Sequence, residues 1–194
     1  MKVFTSLDDP EVAMLLKNGA VGVIPTDTVY GLVCLAADKT AVERLYALKS
    51  RELKPGTIIA ATTDQFAAIG IPKRYVAGAQ RYWPGAVSVE TPHSIAYLHQ
   101  GTGRQALRIP DDAPLLSFLT KVGALQTTSA NQPGKPVAET IEEAEAYFGE
   151  TVDFYVDGGA LRGRPASTII RIIDDAIEVI REGAVKIDET GAVR

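Results

Sequence analysis

The sequence is poor in the residues that most metal, redox and disulfide chemistry needs. It has one cysteine, Cys34, in 194 residues, so an internal disulfide is excluded. Cys34 sits in the apolar stretch 32–37, where a small buried hydrophobe is the expected role. His93 and His99 are the only two histidines. Neither has a cysteine or a paired carboxylate beside it, their spacing has no metal-ligand logic, and no chemistry is assigned to them. Walker-type and dinucleotide glycine fingerprints are missing, so a nucleotide would have to be held without them. Long apolar runs are missing as well. No stretch approaches membrane-spanning length, and Asp8, Asp9 and Glu11 stand where a signal peptide needs an unbroken apolar segment, which predicts a cytoplasmic protein. A formal net charge of -4 gives no general drive toward nucleic acid, so any anion site must be a local patch. Repeats, low-complexity tracts and linkers are also absent. Residues 1–194 are therefore expected to form one domain, with a polar tail from about Lys186 that frays.

What is present is an ordinary globular composition, 46% hydrophobic and 23% charged. Asp8 or Asp9 before Pro10 opens a helix with Val12, Ala13, Leu15 and Leu16 on its apolar face, ended by Asn18-Gly19. Helical spacing recurs from Thr40 to Leu48, near 64–69, over 73–82, after Asp112 and over 140–148. Extended apolar runs fall at 20–24, 32–35, 57–62, 86–90, 106–109, 123–126, 153–156, 169–173 and 177–180. Segment 91–104 reads as a hairpin or mobile loop, and Trp83 as core. Strands and helices alternate at first and strands dominate later. That order predicts an α/β fold (α+β by some schemes) with an open mixed sheet rather than a doubly wound parallel one.

Two strand ends carry the same chemistry. Residues 21–24 deliver Pro25-Thr26-Asp27-Thr28-Val29-Tyr30-Gly31, and residues 123–126 deliver Thr127-Thr128-Ser129-Ala130-Asn131 ahead of Gln132-Pro133-Gly134. Hydroxyls, an amide and a carboxylate clustered beyond strand ends are what a ligand site in an α/β sheet presents, although turns use the same residues. Cations accompany them. Lys49-Ser50-Arg51 closes a helix, where positive charge complements the helix dipole, and Lys54-Pro55-Gly56 turns the cluster into a loop. Arg108 stands inside an apolar strand, so it either reaches solvent or holds an anion. Asp27 either takes part in chemistry or caps backbone amides. Tyr30 either walls a cavity or packs in the core.

Several motifs occur in one order along the chain: Pro-Thr-Asp-Thr-Val-Tyr-Gly-Leu at 25–32, Lys49-x-Arg51, Trp83-Pro84-Gly85, Arg108-Ile109-Pro110, Thr128-Ser129-Ala130-Asn131-x-x-Gly134, Ala166-Ser167-Thr168 and Ile180-Arg181-x-Gly183. Together they resemble the YrdC family, in particular its short single-domain threonylcarbamoyl-AMP synthases. The resemblance implies a twisted open mixed sheet flanked by helices, with a large concave basic cavity. It also implies a reaction joining L-threonine, bicarbonate (or carbon dioxide) and ATP into threonylcarbamoyl-AMP and pyrophosphate. The product would pass to a separate transferase complex that modifies adenosine 37 of tRNAs reading codons that begin with A, with tRNA contact open. On the same resemblance, Lys49 and Arg51 would face the phosphates as the catalytic pair, and Ser129, Asn131 and Arg181 would bind ATP. Thr28, Arg108, Thr127 and Ser167 would bind threonine. No cofactor would be tightly bound, and Mg²⁺ would arrive with ATP. The segment Glu52-Leu53-Lys54-Pro55-Gly56 departs from the commoner family pattern, as do Ser88 and Ala166. The rival expectations are an RNA-binding paralogue of the same fold and a carbamoyl-transfer module of hydrogenase maturation.

Overall fold

Side-chain caps fix where the longer helices of this chain begin. The Asp9 carboxylate accepts the Glu11 amide at 2.9 Å, Asp38 accepts Ala41 at 3.0 Å, and Asp112 accepts Leu115 at 2.8 Å. The computed structural model describes residues 2–49, 54–173, 176–188 and 190–194. In chain order its elements are β1 (Lys2–Phe4), α1 (Pro10–Lys17), β2 (Gly22–Ile24), β3 (Gly31–Leu35), α2 (Lys39–Leu48), β4 (Thr57–Ile59), α3 (Thr63–Ala68) and α4 (Lys73–Val76). There follow β5 (Val87–Pro92), α5 (Ala96–His99), β6 (Arg104–Arg108), α6 (Ala113–Val122), β7 (Leu125–Ser129), α7 (Ile141–Phe148), β8 (Phe154–Val156), β9 (Thr168–Ile173) and β10 (Ala176–Arg181).

The strands form one open sheet in the order β1-β8-β2-β3-β7-β4-β6-β5-β9-β10. It is mixed: β1 and β2 run parallel to β8, β4 to β6 and β5 to β9, while β2–β3, β3–β7, β4–β7, β5–β6 and β9–β10 are antiparallel. Side chains alternate between faces. One face, through Leu32, Cys34, Ile58 and Leu107, packs on a core that includes Leu45, Phe66, Leu98 and Phe148 from the helices. The other face buries Val33, Ile59 and Leu125 under α1 and α6, through Leu16, Leu115 and Leu119. The fold is therefore a twisted mixed α/β sheet flanked by helices, as the sequence predicts. Cys34 is fully buried, and that burial pushes its thiol far above the ordinary range, so it is a packing residue and not a nucleophile. Among the described residues no helix is long and apolar enough to cross a membrane.

Three sequence expectations change. First, β1 has no counterpart in the apolar pattern; its three residues gain their ladder only from β8, far along the chain. Second, the helix expected over 73–82 divides into α4 and a 3₁₀ turn, Gln80–Tyr82. Val76 and Tyr82 are both buried, yet in one continuous helix they would point about 120° apart. A break near Gly78, a poor helix former, lets both face the core. Third, 91–104 is not a bare loop. β5 extends to Pro92, α5 follows, and both histidines are buried as loop anchors: His93 Nδ1 accepts the Ile95 amide at 2.9 Å and His99 Nδ1 accepts Gly103 at 3.0 Å. Burial, and then the neighbouring His99, holds His93 below its ordinary pKa. Within the tail, Ile187 bridges Val193, and the Tyr82 hydroxyl donates to Gly191 O at 2.9 Å.

A polar clasp ties α2 to the sheet. Arg44 grips the Asp153 carboxylate with Nη1 at 2.6 Å and Nη2 at 3.1 Å, while the Val21 amide donates to it at 2.8 Å. Burial pushes the Asp153 carboxyl up, but the Arg44 hydrogen bonds, the Val21 amide and the Arg44 charge outweigh it and leave the pKa lowered. A depressed folded-state pKa means that the folded protein binds fewer protons. The resulting stability is present above the unfolded value of about 3.9 and is lost as pH falls through the folded value. Urea midpoints of the wild type are expected to drop more steeply below about pH 4 than those of Asp153→Asn. Parallel acid limbs in the two proteins would remove Asp153 from this role.

Candidate active site

The recess forms where hydroxyl residues extend past the helix-covered part of the sheet. On β7, Thr127 and Ser129 follow Leu125 on the same face, and their partners in register are Val33 and Gly31 of β3 and, for Thr127, Thr57 of β4. Small side chains keep the space open. A Cβ on Gly31 would lie 2.7 Å from Thr127 Oγ1, and one on Gly56 would lie 2.1 Å from Thr127 O. Both positions therefore require glycine for close approach.

The loop between β2 and β3 is built around Thr26, which the sequence reading did not single out. Its Oγ1 donates to Val29 O at 2.6 Å, accepts the amides of Thr28 and Val29 at 3.2 Å each, and lies 3.2 Å from Thr28 Oγ1. The available signal was a threonine two residues before another after a proline, the pattern of a local hydroxyl turn. Tyr30 is core: it is fully buried, and its hydroxyl donates to Gly159 O at 2.7 Å and accepts the Gly158 amide at 2.9 Å.

Thr28, Arg108, Thr127, Ser129, Ser167 and Arg181, which come from separate stretches of sequence, line one recess. Lys49 and Asn131 stand behind the end of β7 and do not line it. The Lys49 ammonium donates to Ser129 O at 2.8 Å, to Asn131 Oδ1 at 2.9 Å and to Asn131 O. Ser129 Oγ donates to Asn131 Oδ1 at 2.7 Å, and Asn131 Nδ2 donates to Lys135 O at 2.7 Å. Lys49, Ser129 and Asn131 thus form one hydrogen-bonded unit that shapes the recess wall. Arg51 lies outside the described residues. The chain re-enters them under tight control: the Lys54 amide donates to Gln100 Oε1 at 3.0 Å, and the Gly56 amide donates to the Tyr46 hydroxyl at 3.1 Å. Gly56 O accepts from Gln105 Nε2 at 2.8 Å.

Arg108, anomalous in its strand, is 3% exposed and paired with Asp27. Its Nη1 donates to both carboxylate oxygens, at 2.5 and 2.6 Å. β3 and β6 are separated by β7 and β4, so the Asp27 loop reaches across three strand spacings, about 14 Å, to make this pair. Asp27 also accepts the Asp111 amide at 3.3 Å. On the far side of the recess, Arg181 Nη2 donates to Ser167 O at 2.6 Å, and the Ser167 hydroxyl lies 2.9 Å from that of the fully buried Ser88. Two guanidinium groups and several hydroxyls therefore converge on one space, which suits a ligand carrying more than one anionic group. Among the described residues no three His, Cys, Asp or Glu side chains come together. Asp27 beside the recess is paired with Arg108.

The family model for Sua5/YciO/YrdC proteins, which carries the description "Telomere recombination", matches residues 14–183. A Stutzerimonas stutzeri protein named threonylcarbamoyl-AMP synthase is 36% identical over 177 residues, covering 88% of this chain and 95% of its own length. A Pseudomonas putida protein of the same name is 34% identical over 179 residues, covering 89% of this chain and 96% of its own. The crystal structure of P. abyssi Sua5 complexed with L-threonine superposes with a TM-score of 0.84 at 25% identity. The match covers 95% of this chain but 58% of that longer one. The E. coli YciO crystal structure shares the fold, with a TM-score of 0.79 at 22% identity over 94% of this chain and 96% of its own.

Proposed function

Because the chain belongs to the Sua5/YciO/YrdC family, we propose that its recess makes threonylcarbamoyl-AMP from L-threonine, bicarbonate (or carbon dioxide) and ATP, releasing pyrophosphate. The observation that carries this reading is the convergence of Arg108, Arg181 and the hydroxyls of Thr28, Thr127, Ser129 and Ser167 on one recess. The relatives named threonylcarbamoyl-AMP synthase support it, as does the threonine in the P. abyssi complex.

The chemistry explains the residue types. The threonine amine attacks the carbon of carbon dioxide and loses a proton, giving a carbamate. A carbamate oxygen then bonds to the α-phosphorus of ATP as the bond from that phosphorus to the β-bridging oxygen breaks, which makes the enzyme a nucleotidyltransferase. An anion approaches an anion in that step, so fixed cations and aligned hydrogen-bond donors carry the catalysis, without a covalent nucleophile. Arg108 takes the threonine carboxylate, and Thr28, Thr127 and Ser167 surround the amino acid. Arg181 and the Ser129–Asn131 unit hold the nucleotide. Lys49, with Arg51, offsets the charge of the phosphates, and Mg²⁺ enters on ATP. The product leaves for a separate tRNA threonylcarbamoyl transferase complex.

Pyrophosphate release from ATP is expected only when threonine and bicarbonate are both supplied. Release that ignores the omission of either would refute the reading.

A further inference from the structure

The Asp27–Arg108 pair leaves part of the arginine unused. Both hydrogen bonds from Arg108 to Asp27 run through Nη1. Among the described residues the buried Nε has no hydrogen-bond partner, and buried donors are rarely left so without a reason. A guanidinium is a planar fork in which Nε–H and an Nη2–H lie parallel along one edge, the spacing that matches two carboxylate oxygens. The residue is 3% exposed and lines the recess, so the edge is held rather than mobile. Asp27 is not among the recess-lining residues, and its own carboxylate is pinned from behind by the Asp111 amide.

We propose that Asp27 is a positioning residue for amino-acid recognition: by engaging Nη1 it turns Arg108 so that the Nε/Nη2 edge is presented to the substrate carboxylate. The inference rests on the reading that Arg108 binds threonine, and it adds a division of labour. Arg108 touches the carboxylate, while Asp27 sets the angle and supplies the counter-charge that lets a cation stay buried before substrate arrives. A lysine at 108 could not serve in this way, because an ammonium has no edge to orient.

The test is steady-state pyrophosphate release by Asp27→Asn, which keeps the shape and removes the charge. The threonine KM is expected to rise about tenfold or more, with the ATP KM within about twofold and kcat at saturating threonine falling by less than the KM rises. Asp27→Glu should restore part of the threonine KM. An unchanged threonine KM, or threonine and ATP KM values rising together, overturns the proposal. Should Asp27→Asn fail to fold, wild-type protein decides. The Arg108 Nε–H resonance, assigned by its loss in Arg108→Lys, is expected to move on titration with threonine; binding that leaves it in place overturns the proposal. The underlying reading fails separately, if Arg108→Lys itself leaves the threonine KM unchanged.

Discussion

Replacing Lys49 by alanine is expected to lower the rate of pyrophosphate release by about a hundredfold or more, the scale seen when one fixed electrostatic contact to a transition state is removed. Two contributions run through the same atom. The ammonium is a buried charge, 3% exposed, close behind the recess wall, where its field is weakly screened. It also ties Ser129 O to Asn131 Oδ1, so its loss frees the hydroxyl and amide expected to hold the nucleotide. Lys49→Met separates the two contributions from packing, because it keeps most of the aliphatic stem. If the residues act as a unit, the Lys49→Ala and Asn131→Ala losses should be far from additive in the double variant. A folded Lys49→Ala protein with an unchanged rate would remove Lys49 from the mechanism.

The second large effect is expected at Arg108. Arg108→Ala should raise the threonine KM by about a hundredfold, since a bidentate charge-assisted contact is lost together with its orientation. It should also destabilise the fold by about 3–5 kcal/mol, because Asp27 is left buried without its partner. The two consequences can be pulled apart. Replacing both partners, as in Asp27→Asn with Arg108→Met, should recover much of the stability, since neutral groups of similar shape carry no stranded charge. It should recover none of the threonine affinity. Recovery of both would mean that the pair acts only as a strut; thermal melts beside threonine-dependent kinetics give the answer.

Local rules made much of the fold readable. Asp9 and Asp112 cap their helices through side-chain bonds to amides two or three residues on, and the apolar runs that became β3, β6 and β7 lie within a few residues of where their composition put them. β1 was not readable, because three residues at a sheet edge carry no periodic signal and depend on β8 for their partners. The break after α4 was hidden by an apolar pattern that suited a helix locally but could not bury Val76 and Tyr82 together.

The site divides the same way. Thr28, Thr127 and Ser129 stand out as hydroxyls at strand ends, whereas Ser167 and Arg181 are marked only by the resemblance to the YrdC family. Arg108 stood out as a charge in an apolar strand. Its partner did not: Asp27 is 81 residues away, and the bond exists only because a loop crosses two intervening strands. Thr26 was passed over because its work is internal to its own loop, where a hydroxyl looks like any turn former. The ring of contacts on Gly56, from Tyr46 and Gln105, was equally invisible, since one partner comes from a helix and the other from a strand two positions away in the sheet from β3's neighbour β7.

The central claim is that this recess joins carbon dioxide, threonine and the adenylyl group in one molecule. Mass spectrometry of the reaction with ¹³C-bicarbonate tests it most directly. The account predicts an adenylate whose mass corresponds to threonylcarbamoyl-AMP with a single heavy carbon, formed in step with pyrophosphate and absent when threonine is left out. Pyrophosphate accompanied only by unlabelled AMP, or an adenylate that carries no heavy carbon, would contradict it.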